Sequence, residues 1–213
     1  MNNRIKAILF DFDGVLMDTE SHYTDFWNEM GWRYLHEEAF GPKIKGQSLV
    51  RIFDEYFSGR EADQTSIEEQ LDHFEHDMPY DYIPGAQAFL EQLRDNGVPA
   101  VVVTSSNAKK MDNVYRAHPE FRSYFRHIVT SEQFTQSKPS PECFLLGMRL
   151  LDAQPSETVI LEDSFHGLQA ARAAGAFVVG VATTNSREAI SPKADLVVDD
   201  LSGLSLEDLS VRM

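Results

Sequence analysis

Two aspartates, Asp11 and Asp13, stand two residues apart in AILFDFDGVLMDTE, directly after the apolar run Ala7 to Phe10. An ionised carboxylate can attack phosphorus to form an acyl phosphate. A second carboxyl beside it can give a proton to the leaving oxygen and later take one from the attacking water. Asp11, nearest the apolar run, suits the nucleophile and Asp13 the acid–base, with Gly14 letting the chain bend behind them. Ala7 to Phe10 read as a short strand buried on both faces. Aspartate is depleted in strands and costly to bury unpaired, so something must offset the two charges. A calcium-binding helix–loop–helix loop does not fit: its glycine is the sixth residue and a helix precedes it, whereas here glycine is fourth and a strand precedes.

The elements that must position such a pair follow from the pattern downstream. VPAVVVTS (Val98 to Ser105), HIVTS (His127 to Ser131), TVILEDS (Thr158 to Ser164), FVVGVAT (Phe177 to Thr183) and DLVVDD (Asp195 to Asp200) read as strands. Helical patterns lie between them near Ala86–Asn96, Ala108–His118, Pro141–Asp152 and Gly167–Ala174, with Gly97 and Gly175 as stop signals. Strands alternating with helices predict an α/β fold with a parallel sheet covered on both faces. From about Asp18 to Met78 the composition changes to charged and aromatic residues with helical spacing and no β-like run. Phe26, Trp27 and Met30 form one apolar stripe there and Leu71 and Phe74 another. Trp27 and Trp32 are expected in the core of this segment. The division expected is 1–17 with 80–213 as an α/β core and 18–79 as a helical insertion.

In open α/β sheets ligands bind beyond the carboxyl ends of the strands, so the other strand ends are the test. The second strand ends in Thr104-Ser105-Ser106-Asn107, hydroxyls and backbone N–H groups able to hold an anion. After the third comes SKPSPE, in which Lys138 precedes Pro139 and Pro141, an extended turn ahead of a helix. The fourth runs into Glu162-Asp163. Each cluster alone has a bland reading as a helix cap, a solvated charge or a helix-terminal charge. Together, three further strand ends present what a phosphate–magnesium site requires. Mg²⁺ takes hard oxygen ligands from one or two carboxylates plus a phosphate. Asp11 and Asp163 supply carboxylates and Asp13 a backbone carbonyl, while Thr104, Ser105 and Lys138 face the phosphoryl oxygens. A cation and a phosphate between the aspartates would explain why they are tolerated.

Composition bounds the partners. The chain has 213 residues and a net charge of −15, which argues against nucleic acid and anionic membranes as partners. A small anionic substrate remains compatible, because a bound cation reverses the local field. The single cysteine, Cys143, allows no internal disulfide. Nothing resembles a signal peptide or the roughly 20 apolar residues of a membrane span, so cytoplasm is the expected location. Nothing demands more than a monomer.

Taken in order, DFDGVLMDTE (Asp11–Glu20), VVVTSSN (Val101–Asn107), SKPSPE (Ser137–Glu142) and LEDSFHG (Leu161–Gly167) resemble the haloacid dehalogenase-like superfamily, in the branch of β-phosphoglucomutase and small sugar-phosphate phosphatases. The resemblance implies a Rossmann-like core with a four-helix cap inserted after the first strand, the cap closing over the core to select substrate. It implies Asp11 as nucleophile and Mg²⁺ ligand, and Asp13 as acid–base and carbonyl ligand. Thr104 and Lys138 hold phosphate, and Asp163 ligates the metal with Glu162 in or next to its shell. Asp13 argues against carbon–halogen cleavage, since true dehalogenases lack it. In KIKGQSLVR (Lys43–Arg51), which resembles the substrate-reading loop of β-phosphoglucomutase, Leu49 stands where that family has a phosphate-gripping arginine. Tyr23, with His22 adjacent, falls at the family's cap histidine. Lys45 and Gln47, with His22 and Tyr23, are the candidate substrate contacts of the cap. The expected function is therefore an Mg²⁺-dependent phosphatase of a small phosphorylated metabolite. The alternatives are a β-phosphoglucomutase-type phosphomutase and, from another class, a non-catalytic phosphometabolite-binding regulator, against which the intact Asp11, Asp13, Lys138 and Asp163 argue.

Overall fold

The computed structural model describes residues 5–44, 47 and 49–212; Lys45 lies outside them. The chain divides into two compact units, Met1–Asp18 with Tyr80–Met213, and Thr19–Pro79.

The first unit is built on β1 (Ala7–Phe10), interrupted in sequence by the second unit's helices α1 (Glu20–Met30), α2 (Phe40–Ile44), α3 (Leu49–Tyr56) and α4 (Glu61–Asp77). It continues through α5 (Ala86–Asp95), β2 (Ala100–Val103), α6 (Ala108–Ala117), β3 (His127–Val129), α7 (Glu142–Leu150), β4 (Thr158–Glu162) and α8 (Phe165–Ala174). It ends in β5 (Phe177–Val181), α9 (Arg187–Ile190), β6 (Leu196–Val198) and α10 (Leu206–Arg212). The six strands form one parallel sheet in the order β3-β2-β1-β4-β5-β6. The continuous apolar runs are explained by burial on two sides. Leu9, Val101, Val103, Ile160 and Val178 pack in one cluster with Phe144 and Met148 of α7 and Leu168 and Ala171 of α8. Phe10 points the other way, edge-on to Phe89 of α5 and Phe125.

The strands are shorter than their sequence runs because the polar residues closing each run leave the ladder and enter loops. Helix α8 begins at Phe165, two residues before the expected start, on the side-chain cap of Ser164. Helices α9 and α10 had no clear sequence signal, being 4 and 7 residues long.

The second unit has its own core, formed by Phe26, Trp27, Met30, Phe40, Ile52, Phe53, Phe57 and Ile67, with Leu71 and Phe74 packed against it. Both stripes read from sequence therefore face inward. Trp32 does not: it is 59% exposed. A π-helical turn over Gly31–Leu35 adds a residue to the helical repeat, so Gly31 takes the inward position beside Phe40 and the indole turns outward.

Helix α7 approaches the sheet at Gly147, where an added Cβ would lie 2.9 Å from Leu9 Cδ2 and 3.1 Å from Val103 Cγ2. Gly147→Val overpacks this contact and is expected to cost about 1–3 kcal/mol. In a chain of this size that is a fall in melting temperature of roughly 2–4 °C per kcal/mol, measurable by calorimetry. An unchanged melting temperature would show that the helix lifts off the sheet freely.

Candidate active site

In the strand order β3-β2-β1-β4-β5-β6 the chain leaves β1 toward one edge and returns to β4 on its other side. That reversal is the switch point at which a parallel sheet leaves a crevice beyond its carboxyl ends. The register places Phe10 against both Val102 of β2 and Leu161 of β4. Asp11 and Glu162, each one residue further on, are therefore brought side by side, with Asp163 next in line. One carboxylate oxygen from each of Asp11, Glu162 and Asp163 lies within 4.8 Å of the others, and all three residues are buried.

Lys138 holds this cluster together. Its ammonium donates to Asp11 Oδ1 at 2.5 Å, to Glu162 Oε1 at 2.7 Å and to the Val103 carbonyl at 3.3 Å. The lysine side chain is 8% exposed and that of Glu162 0%. The other oxygen of Glu162 accepts from the Asp163 and Ser164 N–H groups and the Ser164 hydroxyl at 2.9–3.0 Å. Both oxygens of Glu162 are thus engaged, so its place is to anchor Lys138 against the start of α8. The Lys138–Pro139 peptide bond is cis.

Asp13 belongs to a second cluster. Its Oδ1 accepts from Lys110 Nζ at 2.6 Å and its Oδ2 from the Ser106 hydroxyl at 2.9 Å. Lys110 and Ser106 are functional candidates that the sequence reading did not single out. In TSSNAKKM, Lys110 looks like any lysine on an exposed helix face, yet it is buried, with its ammonium 5.5 Å from the Phe12 ring centroid. Asn107, capping α6 through Lys110 N–H, fixes the helix phase that turns this lysine inward. Thr104 is buried at the end of β2, its hydroxyl accepting from Ser106 N–H at 2.9 Å. Ser105 is exposed, and Ser106 rather than Ser105 reaches the aspartate.

The turn after Asp13 is held from above by the loop following β5. Thr183 Oγ1 donates to the Gly14 carbonyl, and Asn185 Nδ2 donates to the Asp163 carbonyl at 2.9 Å. Gly14 has φ +74, and a Cβ there would collide with Asp163 Oδ2. Glycine is thus required twice, for its left-handed backbone and for the approach of the Asp163 carboxylate.

In the second unit, Tyr23 donates its hydroxyl to Glu75 Oε1 at 2.7 Å and packs edge-on against Phe74. The proposed substrate contact is thus built into that unit's own packing, joining α1 to α4. His22 is half-buried on α1, and Gln47 Oε1 is buried with no hydrogen-bond partner among the described residues. Leu49 packs against the unit's core, while Arg51 is an exposed side chain 3.6 Å from Glu55.

Charge decides what this site accepts. Among the described residues, the ion pairs of Asp11, Asp13 and Glu162 are made by Lys110 and Lys138, two ammonium groups beside four carboxylates counting Asp163. Burial pushes the Asp11 carboxyl from 3.8 up to about 7, against the pull of Lys138 and with the repulsion of Glu162 and Asp13. Buried hard oxygens in excess over cations are the donor set a small divalent ion takes, so the residues present fit Mg²⁺.

The sign of the resulting pH dependence follows. Between pH 3.8 and about 7 the unfolded chain ionises Asp11 while the folded protein keeps it protonated. Stability from this group is therefore full below about pH 4 and lost as pH rises through about 7. In EDTA, the melting temperature of the wild type minus that of Asp11→Asn is expected to fall across that window, as read by thermal denaturation at a series of pH values. A difference that stays flat with pH would contradict the burial of this carboxyl.

The haloacid dehalogenase-like hydrolase model matches residues 8–181. Hexitol phosphatase A of Escherichia coli is 31% identical over 214 residues, covering 98% of this chain and 94% of that protein. Beta-phosphoglucomutase of Bacillus subtilis is 29% identical over 223 residues, covering 95% and 93%. The solved β-phosphoglucomutase of Clostridium difficile superposes with a TM-score of 0.79 at 25% identity, covering 98% of this chain and 96% of that one. Other relatives are longer: the chain spans 57% and 21% of two Arabidopsis thaliana proteins. A six-stranded parallel sheet of this order, acidic at its switch point and matched over most of its length, places the chain in the haloacid dehalogenase-like hydrolase family.

Proposed function

We propose that the protein is an Mg²⁺-dependent phosphatase that hydrolyses a small phosphorylated metabolite through an aspartyl-phosphate on Asp11. The observation that carries this reading is the buried Asp11–Lys138–Glu162–Asp163 cluster, with Asp13 two residues on and paired with Lys110. The hexitol phosphatase and other phosphatase relatives support it.

Asp11, Asp163 and the Asp13 carbonyl would hold the ion, with Glu162 next to its shell, engaged with Lys138. When bound, Mg²⁺ would neutralise the carboxylates and the phosphoryl oxygens. Asp11 attacks phosphorus while a protonated Asp13 gives its proton to the leaving oxygen, so the alcohol departs neutral and Asp11 becomes an acyl phosphate. Water then attacks that phosphorus as Asp13, now ionised beside Lys110, takes its proton. Inorganic phosphate leaves and Asp11 is regenerated. Lys138 serves both steps, its charge offsetting Asp11 before attack and the phosphoryl oxygens after it. Thr104, buried at the end of the strand beside β1, would offer its hydroxyl to those oxygens, and Ser105, being exposed, is a weaker choice.

Phosphatase is favoured over mutase by the cap. A mutase must grip two phosphates in turn, a task for arginine. Leu49 is instead packed against its unit's core and Arg51 points to an exposed glutamate. Of the cap candidates, Gln47 and His22 are retained as substrate contacts, and Tyr23 serves packing. Lys45 remains a proposal from sequence alone.

The test is phosphate release from a panel of phosphorylated metabolites, with Mg²⁺ and then with EDTA. The panel includes hexitol phosphates, and β-glucose 1-phosphate with a bisphosphate primer. Release from a subset, abolished by EDTA and reduced by at least about 10³-fold in Asp11→Asn, is expected. Isomerisation without net release would establish the mutase instead. Binding of phosphate esters with no turnover would leave a non-catalytic regulator.

A further inference from the structure

The loop after β5 presents three consecutive polar side chains, Thr183, Thr184 and Asn185. Two are accounted for, since Thr183 donates to the Gly14 carbonyl and Asn185 to the Asp163 carbonyl. Thr184 is not. Its hydroxyl oxygen is buried and has no hydrogen-bond partner among the described residues. A Cβ built on Gly14 would lie 2.8 Å from Thr184 Oγ1 and closer still to Asp163 Oδ2, so both oxygens border one small space above Gly14. Gly14 leaves that space open, and Asp163 is a member of the buried carboxylate cluster.

A buried hydroxyl without a partner costs stability unless a ligand or water satisfies it. Mg²⁺ dehydrates reluctantly and keeps several waters on sites with few protein ligands, and those waters need oxygen partners of their own. Outer partners of this kind set metal affinity nearly as strongly as the ligands do. We infer that Thr184 is a further positioning residue of the cation site, its hydroxyl holding a water of hydration on the bound divalent ion beside Asp163. This inference rests on the metal-dependent reading proposed above. Thr183 and Asn185 then have a matching purpose, since they fasten the same loop to the backbone on both sides of the site.

The test is Mg²⁺ binding to the EDTA-stripped full chain by titration calorimetry, with Mn²⁺ followed by its paramagnetic spectrum as a second probe. Thr184→Val keeps the shape and deletes the hydroxyl; Thr184→Ser keeps the hydroxyl. The valine variant is expected to weaken the dissociation constant for Mg²⁺ by roughly 10-fold or more, and the serine variant to bind near wild type. Without metal, the valine variant should melt at or above the wild-type temperature, because it removes an unsatisfied buried hydroxyl. A valine variant that binds Mg²⁺ like the wild type overturns the inference and leaves the metal-dependent reading intact. A valine variant whose metal-free stability falls in step with its affinity overturns it too, showing a structural role. Failure of the wild type to bind either ion overturns both.

Discussion

The contact between one ammonium and two buried carboxylates organises the catalytic end of this molecule. Lys138 joins Asp11 after β1 to Glu162 at the end of β4, the two strands between which the chain reverses direction. Removing either charge type would strand the other in a site with little solvent, a penalty of about 3–5 kcal/mol for a broken buried pair. The neighbouring glycines, caps and loops follow from that demand. Glu162 is fully buried because Lys138 and the start of α8 together satisfy both its oxygens.

Asp11 and Asp13 are only two residues apart, yet the fold gives them different environments. Asp11 shares Lys138 with Glu162 and is driven toward its protonated form by burial. Asp13 is instead held by the Lys110 ammonium and the Ser106 hydroxyl, both delivered by the segment after β2. Two identical carboxyls side by side would compete for one proton, and in the reaction proposed above a bound Mg²⁺ would be needed to ionise Asp11 against its burial. Both aspartates lie beyond the end of β1, where the chain bends toward Gly14, so Asp13 reaches Ser106 and Lys110 while Phe12 between them is buried against Phe121.

The helical unit follows a separate logic. Its core is largely aromatic, with Phe26 stacked on Phe74 and Phe40 edge-on to Tyr56, Phe57 and Trp27. A unit of about sixty residues has little interior volume, and large rings supply much buried area per side chain. The same economy explains why Tyr23 is drawn into packing and why Leu49 faces inward.

Much of the architecture was legible in the sequence because its signals are local. Apolar runs of four or five residues ending in polar clusters identify buried parallel strands, and the change in composition near Asp18 marks the helical insertion. Asp11, Lys138 and Asp163 were readable as well, since acidic or basic residues at the ends of such strands have few bland explanations once several occur together. Trp32 was misread because a π-turn shifts the helical phase by one residue, and no local signal announced it. Lys110, Ser106 and Thr184 were not singled out because their neighbours in sequence give an ordinary helix cap or a polar loop. What the sequence by itself determined is which chemical groups stand at the strand ends and in what order along the chain. Only the tertiary structure decided which of them meet. That depends on β4 lying beside β1 and on the phase of α6 over the sheet, which bring together polar groups 93 to 127 positions apart that no local pattern relates.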